Sequence, residues 1–246
     1  KLNQYFLKNK IFNRKKEIKE RYKKNPHFNT APFGPELLDL YRLHQIILKY
    51  KRTTILEFGV GWSTKVMANA LLINEKKYLK RIKDLRFNNP FQIHSVDNFK
   101  KYISVTKKKL SVNERKNSFI KFSNLKMCKF NGRIATEYEE IPRVNPDLIY
   151  LDGPSQFNVK GAINNISTSH YDFMPMSCDI LKIEHFLKPG TIIVIDGRSS
   201  NYRFLISNLQ RKWKKFEDFK NEQYILILDE PPLGKLNAKQ IEFYFN

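Results

Sequence analysis

The stretch TTILEFGVGWST, residues 53–64, constrains the fold more than any other part of the chain. Its apolar first half suits a buried strand. The strand pattern stops at Gly59 and Gly61, and the apolar positions that follow recur at the spacing of a helix. Because glycine lets a backbone approach a ligand closely, a strand, a glycine turn and a helix in this order predict the opening unit of a nucleotide-type α/β sheet.

The side chains around this turn allow more than one interpretation. Thr64 stands where a dinucleotide fingerprint has its third glycine. The pattern acidic-x-Gly-x-Gly instead resembles motif I of class I S-adenosylmethionine (SAM) dependent methyltransferases, where the glycines pass under the methionine part of the ligand. A turn that binds no ligand stays open at this point. The candidate cofactor residues of the motif are Glu57, Gly59, Gly61, Ser63 and Thr64.

Three further predicted strands each end in an aspartate, at Asp97, Asp152 and Asp196. Since the carboxyl ends of parallel strands form the ligand crevice of such sheets, we expect these side chains to converge with Glu57. Asp97 follows the second strand, where a carboxylate can accept hydrogen bonds from both ribose hydroxyls of a nucleoside. A simple helix N-cap is the alternative role for Asp97.

The rest of the chain completes an α/β pattern. A helix is predicted over residues 36–50, a third strand over 118–130 and a short helix over 136–141. The last part predicts a helix, two antiparallel strands and an apolar closing segment, at 201–210, 213–219, 224–228 and 236–245. The predicted fold is therefore a Rossmann-like, doubly wound, mostly parallel sheet of about seven strands with a C-terminal antiparallel strand pair.

From residue 36 to residue 230 this order resembles the class I methyltransferase fold. Asp152 in LDGPS and Asp196 in IDG resemble the metal-dependent O-methyltransferases of that family, including the catechol-type and sugar-modifying branches. The resemblance implies SAM as the cofactor and Mg²⁺ or Mn²⁺ held by Asp152 and Asp196. Gly197 stands where the family has a further ligand, so Asn201, Asp172 or water would complete the metal site.

The resemblance also implies roles in the reaction. In-line displacement at a sulfonium methyl requires the protein to position an acceptor oxygen and to remove its proton. The candidate catalytic residues are Asp152, Asp196 and His170, of which His170 lies on a polar loop. The family holds the adenine against the segment after the third strand. Arg133 is therefore a candidate cofactor contact, together with Asp152.

The net charge of +21 comes from 45 Lys and Arg against 24 Asp and Glu. Charge of this size can attract nucleic acid or an anionic membrane surface. The lysines are spread along the chain with one denser stretch at its start, and no RNA-recognition, helix-turn-helix or zinc-finger signature accompanies them. We attribute most of the charge to compositional bias, and keep nucleic acid and peripheral membrane contact through the basic N-terminus as alternatives.

The domain bounds, the length of the apolar runs and the cysteines lead to further predictions. Residues 1–34 are predicted as a basic extension or linker and residues 35–246 as the methyltransferase domain. No apolar run approaches the ~20 residues that span a bilayer. Cys128 and Cys178 lack metal-ligand spacing and are predicted as core thiols in a reducing compartment, which favours a cytoplasmic protein.

The leading hypothesis is a SAM-dependent O-methyltransferase that acts on a small hydroxylated acceptor. A sugar of a surface glycan is the first candidate, with the chain as one domain of a larger glycan-assembly protein. The alternatives are an RNA or protein methyltransferase and a non-catalytic Rossmann-like binding module. Asp152-Gly153-Pro154-Ser155 is no Asn/Asp-Pro-Pro-Tyr motif, which disfavours amide N-methylation.

Overall fold

The structure is a computed structural model that describes residues 1–12 and 34–246. A seven-stranded sheet runs through this part of the chain, with a smaller three-stranded sheet beside it. The strands are β1 (Thr54–Phe58), β2 (Gln92–Asp97), β3 (Ser118–Phe122), β4 (Leu125–Phe130), β5 (Arg133–Tyr138), β6 (Leu148–Leu151), β7 (Val159–Lys160), β8 (Ile192–Asp196), β9 (Trp213–Asp218) and β10 (Gln223–Leu228).

The order across the large sheet is β3-β2-β1-β6-β8-β10-β9. The first five of these strands are parallel, and β10 runs antiparallel to both β8 and β9. This order confirms the predicted Rossmann-like sheet with its C-terminal antiparallel pair. It also brings the carboxyl ends of β1, β2, β6 and β8 to one edge.

Helices cover both faces of the sheet. They are α1 (Leu2–Lys8), α2 (Leu37–Lys49), α3 (Trp62–Tyr78), α4 (Lys100–Lys109), α5 (Val112–Lys116), α6 (Asp179–Ile183), α7 (Ser199–Ile206) and α8 (Lys235–Phe245), with short 3₁₀ turns at Lys83–Leu85 and Glu184–Phe186. The predicted helices at 36–50 and 201–210 correspond to α2 and α7. The apolar closing segment is α8.

The central strands are buried on both faces, which is why they read as continuous apolar runs. Successive side chains of β8 enter opposite cores: Ile193 packs with α6 and α7, whereas Ile192 and Val194 pack with α2 and α3. Each such side chain contributes about 1.5–3 kcal/mol when it leaves water. The two cores pack on both faces of the sheet and so fix the positions of its carboxyl ends.

The prediction of one strand over 118–130 and of a helix over 136–141 was wrong. The chain leaves the large sheet after β3, and β4 pairs instead with β5 in a hairpin. Asn131 and Gly132 join these strands with φ of 47° and 75°. Asn-Gly with both φ values positive is the favoured two-residue hairpin turn, so this local signal overrides the helical reading of the segment after it.

The first twelve residues pack on the main body of the protein. Phe6, Ile11 and Phe12 are almost fully buried, and the Phe12 ring lies 4.9 Å from the Trp62 ring at the start of α3. Tyr5 Oη lies 2.6 Å from Nδ1 of a buried histidine on α2, His44. Residues 13–33, most of the predicted basic extension, lie outside the described residues, and the predicted division at residues 34/35 stays a prediction.

A buried arginine, Arg52, lies at the edge of the sheet opposite to the carboxyl ends of the parallel strands. Arg52 is fully buried, and its Nη1 donates to the carbonyl oxygens of Asp147 and Gly190. Its guanidinium lies 4.2 Å from the ring centroid of Tyr244 and 5.2 Å from that of Phe245, both on α8. The stacking supplies the planar contact that a guanidinium prefers.

Candidate active site at the carboxyl edge of the sheet

The turns after β1 and β6 touch each other at two glycines. Gly59 has a φ of +89°, and a Cβ placed on it would lie 2.6 Å from the backbone nitrogen of Gly153. The Gly153 N–H in turn donates to the carbonyl oxygen of Phe58 at 2.6 Å. Gly59 is therefore required both by its backbone conformation and by this contact. The two turns form one continuous surface at the edge of the sheet.

Glu57 holds the β1 turn together from below. It is fully buried and accepts hydrogen bonds from the hydroxyls of Ser63, Thr64 and Ser95 at 2.6–2.8 Å. Burial raises the pKa of Glu57 to about 8, against the opposing effect of the three hydroxyls. Three of the predicted cofactor residues, Glu57, Ser63 and Thr64, thus engage one another, and they shape the turn from beneath its surface.

The ligand-facing side of the turn is formed by Gly61 and Asp97. Nothing lies within 4 Å of a Cβ built on Gly61, so open space faces this glycine. Asp97 Oδ2 accepts from the Val60 N–H at 2.8 Å, and Oδ1 accepts from the Phe99 N–H at 2.7 Å. A carboxylate has about four acceptor positions, so these two bonds do not saturate Asp97, of which 3% is exposed. Asp97 is therefore not the helix N-cap, which is Phe99, but it fixes the backbone at that residue, and the ribose role stays a prediction.

Asp152 and Asp196 are neighbours at this edge, as the strand pattern predicts. Desolvation, with the negative charge of Asp152 beside it, raises the pKa of Asp196 to about 7. Tyr150 Oη donates to Asp196 Oδ2 at 2.9 Å. Asp152 is 55% exposed to the crevice, and its pKa is raised to about 6 because desolvation outweighs the opposing positive charge of Arg198.

The N-terminus of α2 adds two carboxylates that the sequence analysis missed. Burial, together with the negative charges of Asp196 and Glu36, raises the pKa of Asp39 to about 7. Glu36 also acts on the pKa values of Asp152 and Asp196. No local pattern marks these residues, because only the packing of α2 on the sheet carries them to the crevice.

Two polar groups near Asp97 lack a hydrogen-bond partner among the described residues. Tyr138 is 4% exposed, its ring stacks on Phe58 at 6.0 Å, and its hydroxyl is buried without a partner. Arg198 Nε is likewise buried without a hydrogen-bond partner and lies 3.9 Å from Asp152 Oδ1. Arg198 directly follows Asp196-Gly197. Its place beside a predicted site residue was the sequence feature that could have identified it.

A cavity of about 380 Å³ lies between α2 and the β9–β10 pair. Gln223, which lies opposite Asp196 in the β8–β10 register, forms part of its wall. The cavity therefore begins beside the acidic edge. Aromatic faces and amide groups line it together, among them Tyr41, Gln45, Phe216 and Gln223.

Two predicted site residues lie elsewhere. His170 is exposed, and its Nδ1 accepts from the Asp172 N–H at 3.1 Å; no described contact joins it to Asp152 or Asp196. Arg133 begins β5 at the far end of the hairpin, where it contacts Ser207 Oγ at 3.4 Å. Five residues of strand, ~17 Å, separate it from Tyr138 at the crevice end. The adenine contact predicted for Arg133 therefore has no support in its position.

The residues expected to complete a metal site with Asp152 and Asp196 lie elsewhere. Asn201 is buried and exchanges hydrogen bonds with the backbone of Ser177, and Asp172 lies with His170 on the exposed loop. Neither completes a set with Asp152 and Asp196. Across residues 1–12 and 34–246, no three carboxylates of the crevice bring ligand atoms within 4.8 Å of one another.

The group that does meet this distance lies away from the crevice and consists of Cys128, Glu137 and Cys178. The two Sγ atoms are 3.5 Å apart. Sequence spacing did not reveal this proximity, because the hairpin brings together residues far apart in the chain. Glu137 is already paired with two ammonium groups, those of Lys126 and Lys182.

The chain is similar in fold to solved O-methyltransferases. The O-methyltransferase TomG of Streptomyces achromogenes, solved with SAM, is 11% identical over 80% of this chain and 82% of its own, with a TM-score of 0.44. A putative O-methyltransferase from Klebsiella pneumoniae is 13% identical over 93% and 96%, with a TM-score of 0.48. The Bacillus cereus O-methyltransferase in complex with SAH is 10% identical over 93% and 90%, with a TM-score of 0.41.

No protein-family model matches the chain, and no curated protein matches it. Identities and TM-scores this low carry no inference about the reaction. Within the described ranges, none of the helices has the length and apolar character needed to cross a membrane.

Proposed function

We propose that this chain transfers the methyl group of SAM to a hydroxyl of a small acceptor, and that the acceptor is a sugar unit of a glycan. The observation that carries the proposal is the hydrogen bond from the Val60 N–H to Asp97 Oδ2 at 2.8 Å. It joins the glycine turn after β1 to the carboxylate after β2, so that a nucleoside lying over Gly61 would meet the Asp97 oxygens.

The residues present fit the cofactor. The open space at Gly61 lets a ligand approach the turn, and the Asp97 oxygens retain lone pairs for two ribose hydroxyls. The unpartnered Tyr138 hydroxyl adds a further polar group near Asp97. SAM, when bound, supplies a methyl group already activated on a sulfonium centre.

Asp152 and Asp196 have different roles in the proposed reaction. Asp152 has the lower pKa, about 6, because Arg198 partly offsets its desolvation, so it is the more readily ionised and carries the negative charge that faces a sulfonium. Asp196, with a pKa of about 7, is better matched to accepting a proton near neutral pH. The acceptor oxygen forms a C–O bond as the methyl–sulfur bond breaks, and its proton passes to Asp196.

The cavity beside Asp196 supports a sugar acceptor. Aromatic faces such as Tyr41 pack on the apolar side of a sugar ring, and the amides of Gln45 and Gln223 can both donate to and accept from its hydroxyls. The carboxylates at this edge repel the phosphates of RNA. This weighs against an RNA methyltransferase, the alternative that the net positive charge suggests. Cytoplasmic location and membership of a larger glycan-assembly protein stay predictions.

A metal is not given a step in this reaction, because Asn201 and Asp172, the residues predicted to complete its site, do not join Asp152 and Asp196. The prediction that Asp152 and Asp196 hold Mg²⁺ or Mn²⁺ stays open to direct titration. The donor set contains two carboxylates with Arg198 beside one of them, and a guanidinium at 3.9 Å opposes a cation at that oxygen.

Calorimetric titration with S-adenosylhomocysteine tests the cofactor. We expect the wild-type chain to bind, and Asp97→Asn to weaken binding by at least about tenfold, the cost of one charge-assisted hydrogen bond. Asp229→Asn, an exposed carboxylate far from the edge, is the matched control. If the wild-type chain binds no S-adenosylhomocysteine, the enzyme proposal is wrong and a non-catalytic module remains.

The acceptor is tested separately with SAM labelled at its methyl group. Free hexoses, N-acetylhexosamines, total RNA and a basic peptide are offered in parallel, and label transfer is measured for each. Transfer to a sugar hydroxyl supports the proposal. Transfer to RNA or peptide alone supports the alternative class and contradicts the sugar acceptor.

A further inference from the structure

Arg198 stands at the place where a metal ion was predicted to act. It comes two residues after Asp196, past the Gly197 position at which the family resemblance expected a metal ligand. Its side chain is 17% exposed and reaches toward the turn after β6, where its Nε lies 3.9 Å from Asp152 Oδ1. The side chain therefore bridges the ends of β8 and β6.

The charge of Arg198 acts on several groups of the crevice at once. It favours the ionised forms of Asp97 and Asp152, and it also lowers the pKa of Tyr138 against the stronger effect of burial. Among the described residues, Arg198 is the cation that acts on both Asp97 and Asp152. A positive charge is thus already provided between the predicted ribose carboxylate and the predicted metal ligand.

The hydrogen-bonding state of Arg198 indicates a missing partner. Its Nε is buried and has no hydrogen-bond acceptor within the described chain, although a guanidinium carries five donors in a fixed plane. A buried donor without an acceptor costs free energy, about 1–3 kcal/mol, so such donors in folded proteins usually meet a ligand or water. Asp152 at 3.9 Å is too distant to satisfy it.

We infer that Arg198 takes the part of the metal ion: its guanidinium, on a side chain that is 17% exposed at the crevice, donates to the acceptor oxygen that is methylated, and the reaction needs no divalent cation. This inference rests on the proposed function. A fixed guanidinium stabilises the charge that grows on the acceptor oxygen as its proton leaves for Asp196. The same guanidinium opposes the binding of a divalent cation at Asp152, because the two positive charges repel each other.

The same arrangement predicts what happens when the guanidinium is removed. Arg198→Met leaves Asp152 without the opposing charge, while the negative charges of Glu36, Asp39 and Asp97 still act on it. The electrostatic barrier to a divalent cation at Asp152 is then removed, and carboxylate oxygens suit Mn²⁺. We expect the wild-type chain to bind no Mn²⁺ at this edge and Arg198→Met to gain a Mn²⁺ site.

The test combines four variants with two readouts that do not depend on turnover. Wild-type, Arg198→Met, Arg198→Lys and the control Arg203→Met are titrated with S-adenosylhomocysteine and with Mn²⁺; Arg203 is an exposed arginine on α7, the helix that begins directly after Arg198. Methyl transfer to the sugar panel is then measured with and without EDTA. Thermal unfolding establishes that each variant is folded.

We expect wild-type transfer to be unchanged by EDTA and Arg198→Met to bind S-adenosylhomocysteine normally while its kcat falls by about 10²-fold. Arg198→Lys should retain part of the rate, free guanidinium should restore some of it to Arg198→Met, and Arg203→Met should match the wild type. Loss of wild-type activity in EDTA with recovery in Mn²⁺ would overturn the inference and leave the proposed function standing. Absence of S-adenosylhomocysteine binding in the wild type would overturn both.

Should Arg198→Met fail to fold, the wild-type EDTA and Mn²⁺ titrations and Arg198→Lys decide the question. A wild-type Mn²⁺ site that competes with protonation of Asp152 contradicts the inference. No Mn²⁺ binding together with EDTA-resistant transfer supports it.

Discussion

Asp97 Oδ2 accepts the backbone N–H of Val60 at 2.8 Å, so the last residue of β2 fixes the turn that follows β1. Oδ1 of the same carboxylate accepts the Phe99 N–H at 2.7 Å and fixes the entry to α4. One buried side chain therefore sets the positions of two adjacent loops that border the proposed cofactor site.

We predict that Asp97→Asn loosens the β1 turn as well as weakening ligand binding. An amide offers one acceptor oxygen, so one of the two backbone donors loses its partner. The free energy of unfolding should fall by about 1–3 kcal/mol. Hydrogen exchange measures this directly: the Val60 or Phe99 amide should exchange faster in the variant, while amides of β10 stay protected. Unchanged exchange at both amides would contradict the role assigned to Asp97.

We predict that Gly59→Ala is more damaging than Gly132→Ala. Both glycines have positive φ, 89° and 75°, so both variants carry backbone strain of about 1 kcal/mol. Only Gly59 also faces a neighbour: its new Cβ would lie 2.6 Å from Gly153 N, whereas Gly132 has nothing within 4 Å. Overpacking should cost Gly59→Ala about 1–3 kcal/mol more. Urea unfolding of the two variants side by side measures the difference, and equal losses would contradict the contact.

We predict that stability falls as the pH rises toward 8. Glu57 has a folded pKa of about 8 against an ordinary value of 4.5, so the folded chain holds this proton where the unfolded chain has released it. Stability from this group is full below about 4.5 and is lost as the pH passes through 8. Urea unfolding should show a shallower decline for Glu57→Gln, by up to about 1.4 kcal/mol per pH unit. An unchanged slope would show that Glu57 is ionised in the folded protein.

We predict that methyl transfer requires ionised Asp196. Its pKa of about 7 means that the rate should rise between pH 6 and 8 and then level off. Asp196→Asn should lower kcat by about 10²–10⁴-fold and leave S-adenosylhomocysteine binding nearly unchanged. Initial rates with the sugar panel check this, with Asp229→Asn as the control. A variant that keeps the wild-type rate and pH profile would remove Asp196 from the reaction.

The sequence was most informative where local pattern and tertiary structure coincide. The strands that end at Glu57, Asp97, Asp152 and Asp196 are apolar because both faces of the sheet are buried, and parallel pairing then brings their ends together. The same reasoning failed for the hairpin of β4 and β5. The Asn131-Gly132 turn signal was present in the sequence, but the region was predicted as one strand over 118–130, a cofactor contact at Arg133 and a helix over 136–141.

Other site residues depend on packing that no local pattern encodes. Glu36 and Asp39 reach the crevice because α2 lies across the sheet with its N-terminus at the carboxyl edge. Tyr138 reaches it because the hairpin folds back over Phe58. Arg198 follows a recognised Asp-Gly pair, but its direction toward Asp152 is a property of the turn after β8.

The stacking of Arg52 beneath α8 imposes an order on folding during synthesis. Arg52 leaves the ribosome well before Tyr244 and Phe245, the rings that cover its guanidinium, because these rings follow it by 192 and 193 residues. Domains form as their chain emerges, N-terminal part first. Until α8 is made, a cation lies uncovered between the first strand and the turn at Gly190, and the nascent sheet must wait for that helix before this edge becomes dry.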